Sequence, residues 1–60
     1  MLIDLNSATL EELETLPGIG PVLAQRIMDG RPYGAIEDLL RVKGIGHVLY
    51  DEMQHLVTVR

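Results

Sequence analysis

The chemistry available to this chain lies in two stretches of backbone. Gly18-Ile19-Gly20 and Gly44-Ile45-Gly46 each stand between two segments with helical spacing. Glycine permits backbone angles that a Cβ blocks, and it lets another molecule approach the main chain closely. Each loop leads into a helix N-terminus, where unpaired N–H groups and the positive end of the dipole favour an anion. The N–H groups of Gly18, Gly20 and Val22 are placed to surround one phosphate oxygen. Those of Gly44, Gly46 and Val48 are placed to surround a second, with Lys43 beside them. Pro21 has no N–H to contribute. Ile19 and Ile45 complete the two loops, and their side chains are expected to plug into the core as anchors. The candidate phosphate-binding residues are therefore Gly18, Ile19, Gly20, Val22, Lys43, Gly44, Ile45, Gly46 and Val48.

The side chains offer little else. His47 and His55 are eight positions apart, which does not make a metal pair on one helix face. Glu11, Glu12 and Glu14 read as a solvated first helical turn that complements the dipole. There is no cysteine, so neither a disulfide framework nor a thiolate metal site is available. The basic and aromatic interleaving of single-strand binders is missing, and sixty residues leave no room for a base-flipping pocket. No catalytic residue, cofactor or side-chain metal site is expected.

The two loops are related by a constant offset of 26 positions. That offset aligns Glu11 with Glu37, Leu13 with Leu39, Val22 with Val48 and Leu23 with Leu49. One small unit, helix–glycine hairpin–helix, is present twice, over about residues 9–29 and 35–56 of a single 1–60 domain. Thr9 and Glu12 predict a capping box opening a first helix over 10–15, with Leu10, Leu13 and Leu16 as its apolar stripe. Pro17-Gly18 ends it. Pro21 suits the first position of a second helix, and Gly30 its left-handed C-terminal residue. Arg31-Pro32-Tyr33-Gly34 is a tight linker, with Tyr33 packed on the core. A third helix spans 36–41, where Ala35 is a poor cap and Gly34 is expected to serve in its place. The fourth spans 47–56, with Tyr50, Met53, Leu56 and Val57 facing inward. Both chain ends, 1–6 and 57–60, read as extended. The fold class is all-α: four short helices in two motifs with pseudo-two-fold symmetry.

A chain of sixty residues is marginal on its own. Lacking Phe and Trp, it must build its core from aliphatic side chains. The net charge of −4 works against a nucleic-acid partner, since phosphate binders usually show a basic patch. No apolar run approaches the roughly 18 residues of a membrane span, and Met1-Leu2-Ile3-Asp4 lacks the basic start of a signal peptide.

Leu13-x-x-Leu16-Pro17-Gly18-Ile19-Gly20-Pro21-x-x-Ala24-x-x-Ile27 resembles the helix-hairpin-helix signature. The tandem form, preceded by Asn6-Ser7-Ala8-Thr9-Leu10-Glu11-Glu12-Leu13, is similar to the C-terminal domain of ComEA-type competence proteins. Arg31-Pro32-Tyr33, Val42-Lys43-Gly44-Ile45-Gly46 and Leu56-Val57-Thr58-Val59 continue the match over nearly the whole chain. The resemblance implies a domain whose two hairpins straddle the minor groove of double-stranded DNA and hold one strand each, without reading sequence. It implies a setting at the cell surface or in the periplasm, during DNA uptake. It also implies a place for a monovalent cation at the carbonyls of Leu16, Ile19, Val42 and Ile45. The related extrinsic photosystem subunits share the domain in a structural role.

This chain departs from that pattern in charge. DNA-binding members place a lysine shortly after each hairpin, where Leu23 and Val48 are read here, and Glu52 and Gln54 replace further basic positions. Lys43 is the best remaining cation; Arg26, Arg31 and Arg41 depend on their helix faces, and His47 adds charge only at low pH. Weak, salt-dependent duplex binding is the expectation. The apolar residues Leu23, Val48 and Leu49 suggest an exposed patch, and with it an alternative: a protein-interaction or self-associating module that kept the fold and lost most DNA affinity.

Overall fold

The computed structural model describes residues 2–60; the expectation for Met1 lies outside them. Four helices carry the chain: α1 (Leu10–Glu14), α2 (Pro21–Asp29), a 3₁₀ helix (Ile36–Arg41) and α3 (His47–Met53), which a 3₁₀ turn (Gln54–Leu56) extends. Two-residue strands, β1 (Ile3–Asp4) and β2 (Val57–Thr58), pair in parallel with Ile3 opposite Val57. The extended reading of the ends holds at Ile3–Asp4 and Val57–Thr58, whereas Leu5 and Asn6, also read as extended, lie in a turn closed by Ser7 N–H and Ala8 N–H on Asp4 O. The pairing of the ends adds a strand element to a domain read as all-α, and Leu5 N–H extends it by donating to Thr58 O at 2.9 Å.

The first and third helices differ in type, and their caps differ with them. Thr9 Oγ1 accepts from Glu12 N–H at 3.1 Å, while Glu12 Oε1 accepts from Thr9 N–H at 2.8 Å. That is the predicted capping box, and α1 closes as an α-helix that stops one residue short of Thr15. Ala35 has no side-chain acceptor. The equivalent amide, Asp38 N–H, turns instead to Ala35 O at 3.1 Å, a bond of the tighter 3₁₀ kind. Gly34 does not replace the cap. Asp38 Oδ2 reaches back and accepts from Gly34 N–H at 3.1 Å and Ala35 N–H at 3.2 Å.

The core is aliphatic, with Leu5, Leu13, Ile27, Leu39 and Met53 fully buried. Tyr33 and Tyr50 close it. Burial holds the Tyr33 hydroxyl above its usual pKa, and its O–H donates to Ile27 O at 2.7 Å. That tyrosine also explains Gly30. The residue is not left-handed, with φ −86°. A Cβ there would lie 2.6 Å from the Tyr33 hydroxyl, so space rather than backbone conformation favours glycine.

The linker is tied down from both sides. Arg31 donates from Nε to Leu5 O at 2.6 Å and from Nη2 to Ala8 O at 2.5 Å. Asn6 accepts from Tyr33 N–H at 2.6 Å and donates to Tyr33 O at 3.0 Å and Arg60 O at 3.2 Å. One asparagine and one arginine thus join the N-terminal segment, the linker and the C-terminus. This fixes how the two hairpin units sit against each other.

Candidate nucleic-acid interface

Both hairpins are built on the same turn. In Leu16-Pro17-Gly18-Ile19, Ile19 N–H donates to Leu16 O at 3.1 Å and Gly18 has φ +76°. In Val42-Lys43-Gly44-Ile45, Ile45 N–H donates to Val42 O at 3.0 Å and Gly44 has φ +100°. A positive φ at the third position of a hydrogen-bonded four-residue turn is the type II pattern, which favours glycine there. Ile19 and Ile45 are buried, 5% and 4% exposed, as anchors. Their N–H groups are taken by the turn and their side chains by the core. Neither is therefore a free donor, and the expectation that placed them among the phosphate-binding residues is corrected.

The two units interlock crosswise. A Cβ on Gly18 would lie 2.6 Å from Leu49 Cδ1, and one on Gly44 would lie 2.7 Å from Leu23 Cδ2. Each unit's second helix thus lays a leucine against the other unit's hairpin. This corrects the patch expected at Leu23, Val48 and Leu49 at the two leucines and leaves Val48 as expected. Leu23 and Leu49 are partly buried against the core, whereas Val22 and Val48 are 64% and 77% exposed. The repeat offset already pairs Val22 with Val48, so Val22, not Leu23, is the outward residue after the first hairpin.

The second glycine of each hairpin behaves differently from the first. Gly20 (φ −95°, ψ −172°) and Gly46 (φ −104°, ψ −174°) have extended backbones that any residue adopts. A Cβ on either would meet nothing within 4 Å. The fold does not require glycine at these positions. Their carbonyls cap the following helices, accepting from Ala24 N–H and Tyr50 N–H at 2.9 Å. Among the hydrogen bonds of the described residues, none uses the N–H of Gly18, Gly20, Val22, Gly44, Gly46 or Val48. The result is a run of open amides beside a bare main chain in each half.

The cations fall into two groups. Arg31 is committed to Leu5 and Ala8 and takes no part in the hairpin face. Arg26 Nη1 crosses to Lys43 O at 3.0 Å, bracing the second hairpin from the first unit's helix, a contact that nothing in its sequence position signals. Lys43 is exposed, and Arg41 extends from the surface with Asp38 Oδ1 3.9 Å away. The carbonyls of Leu16 and Val42 close the turns and keep a second lone pair each. No group of three His, Cys, Asp or Glu side chains comes together among the described residues, and no helix there is long and apolar enough to cross a membrane.

A family model described as the helix-hairpin-helix motif matches residues 1–58. A deoxyribonuclease of Thioalkalivibrio sp. (strain K90mix) is 46% identical over 52 residues, covering 87% of this chain and 14% of that protein. ComE operon protein 1 of Bacillus subtilis is 38% identical over 64 aligned residues, covering 98% of this chain and 31% of its own length. Photosystem II extrinsic protein U of Gloeothece citriformis is 35% identical over 52, covering 87% and 42%. The chain spans less than half the length of each of these relatives. With a match along almost its whole length and two type II glycine turns leading into helices, the chain belongs to the helix-hairpin-helix family and is related to ComE operon protein 1.

Proposed function

We propose that this domain binds double-stranded DNA without reading its sequence, through the backbone amides of its two hairpins. The observation that carries the reading is the pair Gly20 and Gly46. Neither backbone angles nor neighbouring atoms require glycine there, yet both positions leave the main chain bare beside unengaged N–H groups. A ligand that must approach the backbone closely gives those glycines a purpose, and a phosphate oxygen fits the donors. The contacting residues are Gly18, Gly20 and Val22 on one side, and Lys43, Gly44, Gly46 and Val48 on the other. The kinship with ComE operon protein 1 supports a setting in DNA uptake for natural competence. The domain acts as a binding module and not as an enzyme; the deoxyribonuclease relative shares only 14% of its length with it.

The exposed Val22 and Val48 favour a second reading, a protein-interaction module on the same fold, because they put apolar surface beside the open amides of each hairpin. Anisotropy of a labelled duplex of about 20 base pairs separates the two. The native domain should bind weakly and lose binding as salt rises. Val22→Lys with Val48→Lys should tighten binding and steepen the log–log salt slope by about 0.9 for each additional phosphate that is neutralised. No binding at low salt, even at roughly millimolar protein, is weaker than ordinary non-specific association and would leave the interaction reading. A dissociation constant below roughly 10⁻⁸ M in physiological salt belongs to specific recognition and would end the sequence-independent one.

A further inference from the structure

Beside the second hairpin lies a cleft of about 440 Å³, lined in part by Arg26, Asp29, Tyr33, Asp38, Arg41 and Lys43. Three of the chain's five basic residues meet there. The two carboxylates are already engaged. Asp29 Oδ1 accepts from Gln25 Nε2 at 2.9 Å, and Asp38 Oδ2 accepts from two backbone N–H groups while its Oδ1 stands 3.9 Å from Arg41 Nη2, a loose pair on an exposed arginine. Arg41 and Lys43 stand exposed at the rim. Arg26 spends one N–H on Lys43 O and keeps its full charge and further donors.

The repeat offset supplies an internal control. The positions matching Arg26, Arg41 and Lys43 are Glu52, Thr15 and Pro17, and those matching Asp29 and Asp38 are His55 and Glu12. Every cation around the second hairpin has a neutral or acidic counterpart around the first. In that register the second hairpin has three cations against two engaged carboxylates. The first has two carboxylates and no permanent cation.

We infer that the cleft is a phosphate subsite continuous with the second hairpin, so that the domain grips the two strands of a duplex unequally. The strand at the second hairpin is held by amides together with Lys43, Arg41 and Arg26. The strand at the first is held by amides alone. This rests on the duplex-binding reading above and assigns its electrostatics to one half.

The test uses the full chain, a labelled duplex and two single substitutions at matched positions. Arg41→Gln and Thr15→Glu each lower the local charge by one, at exposed sites, and a thermal melt checks that both variants fold. Arg41→Gln should weaken binding at low salt about fivefold and flatten the salt slope by about 0.9, whereas Thr15→Glu should change affinity less than about twofold. Adding Lys43→Gln to Arg41→Gln should deepen the loss and flatten the slope again. Equal effects at the two positions would overturn the inference while leaving DNA binding intact. Failure of the unmodified domain to bind duplex would overturn the functional reading itself, and the inference with it. A glutamate-rich peptide that binds more tightly than the duplex, through Arg41 and Lys43, would also overturn it, assigning the cleft to an acidic protein segment.

Discussion

The two hairpins share their turn, their anchor and their cross-packed leucine, and little of what surrounds them. Each has a left-handed glycine, a buried isoleucine whose N–H closes the turn, and a leucine from the opposite unit pressed on that glycine. Around them, one half opens with a capped α-helix and the other with a 3₁₀ helix. One has a proline at the second turn position and the other a lysine. The requirements of the loop therefore sit in the backbone and in its immediate packing. Helix type and local charge have diverged without disturbing it.

The strongest way to break that comparison is within each hairpin, where the two glycines do different work. Gly18→Val or Gly44→Val forces a β-branched residue into a positive φ and drives its Cβ into Leu49 or Leu23. Each should cost about 3 kcal/mol or more, a large part of the total stability of about 3–9 kcal/mol usual for a domain this size. Gly20→Ala and Gly46→Ala have room and ordinary angles, so each should change stability by less than about 0.5 kcal/mol while weakening duplex binding. Urea unfolding beside duplex titration checks both. Equal stability losses at first and second glycines would remove the distinction, and with it the case for ligand approach.

A smaller effect sharpens the comparison between the first helices of the two units. Thr9→Ala should cost about 1 kcal/mol, the usual value of a lost N-cap acceptor. Ala35→Thr offers Asp38 N–H the acceptor it lacks and should stabilise by about 0.5–1 kcal/mol. If the cap decides helix type, amide couplings or hydrogen exchange in Ala35→Thr should show Asp38 N–H leaving Ala35 O. A stability gain without that change would mean tertiary packing holds the 3₁₀ form.

How far the sequence discloses this molecule follows from which residues carry local signals. The paired hairpins, the Thr9–Glu12 box, the buried isoleucines and the packing of Tyr33 were legible because each depends on residues close in sequence. The 3₁₀ form of Ile36–Arg41 was not: the missing acceptor at Ala35 is in the sequence, but the bond from Asp38 N–H to Ala35 O that stands in its place is not. The paired residues of the two ends were legible as extended, though the turn at Leu5 and Asn6 was not, and two-residue strands leave no periodicity from which to read a partner. Leu23 and Leu49 carry no local sign of burial, because their cover lies in the other unit, 21 and 31 positions away. The offset that pairs Val22 with Val48 is in the sequence and is enough to correct the expectation of an exposed Leu23. Arg26 and Arg31 have the sequence surroundings of free cations. Both donate to carbonyls far along the chain, and nothing in a basic residue's neighbours announces such a bond.

The smallest expected effect concerns the end pairing, the part of the fold that belongs to neither hairpin. Asp4 Oδ1 accepts from Asn6 N–H at 3.0 Å and Oδ2 from the Ser7 hydroxyl at 3.0 Å. The Asn6 N–H is the main cause holding this carboxyl below its ordinary value of 3.8; desolvation is the next largest influence and opposes it, and Ser7 and Arg60 add to the lowering. A pKa lower in the folded state than in the unfolded chain means the carboxylate form favours folding. That contribution is complete above the ordinary value and is lost as pH falls through the lower, folded one. Asp4→Asn keeps an acceptor for Asn6 N–H, but loses the charge and an acceptor for Ser7. Its melting temperature should therefore fall slightly below the native protein's at neutral pH, and the gap should close as the pH drops below 3.8. The group is partly exposed and screened by solvent, so this shift should be smaller than the loss from removing the Thr9 cap. A gap that stays constant with pH would assign the effect to the geometry of the β1 turn and not to its charge.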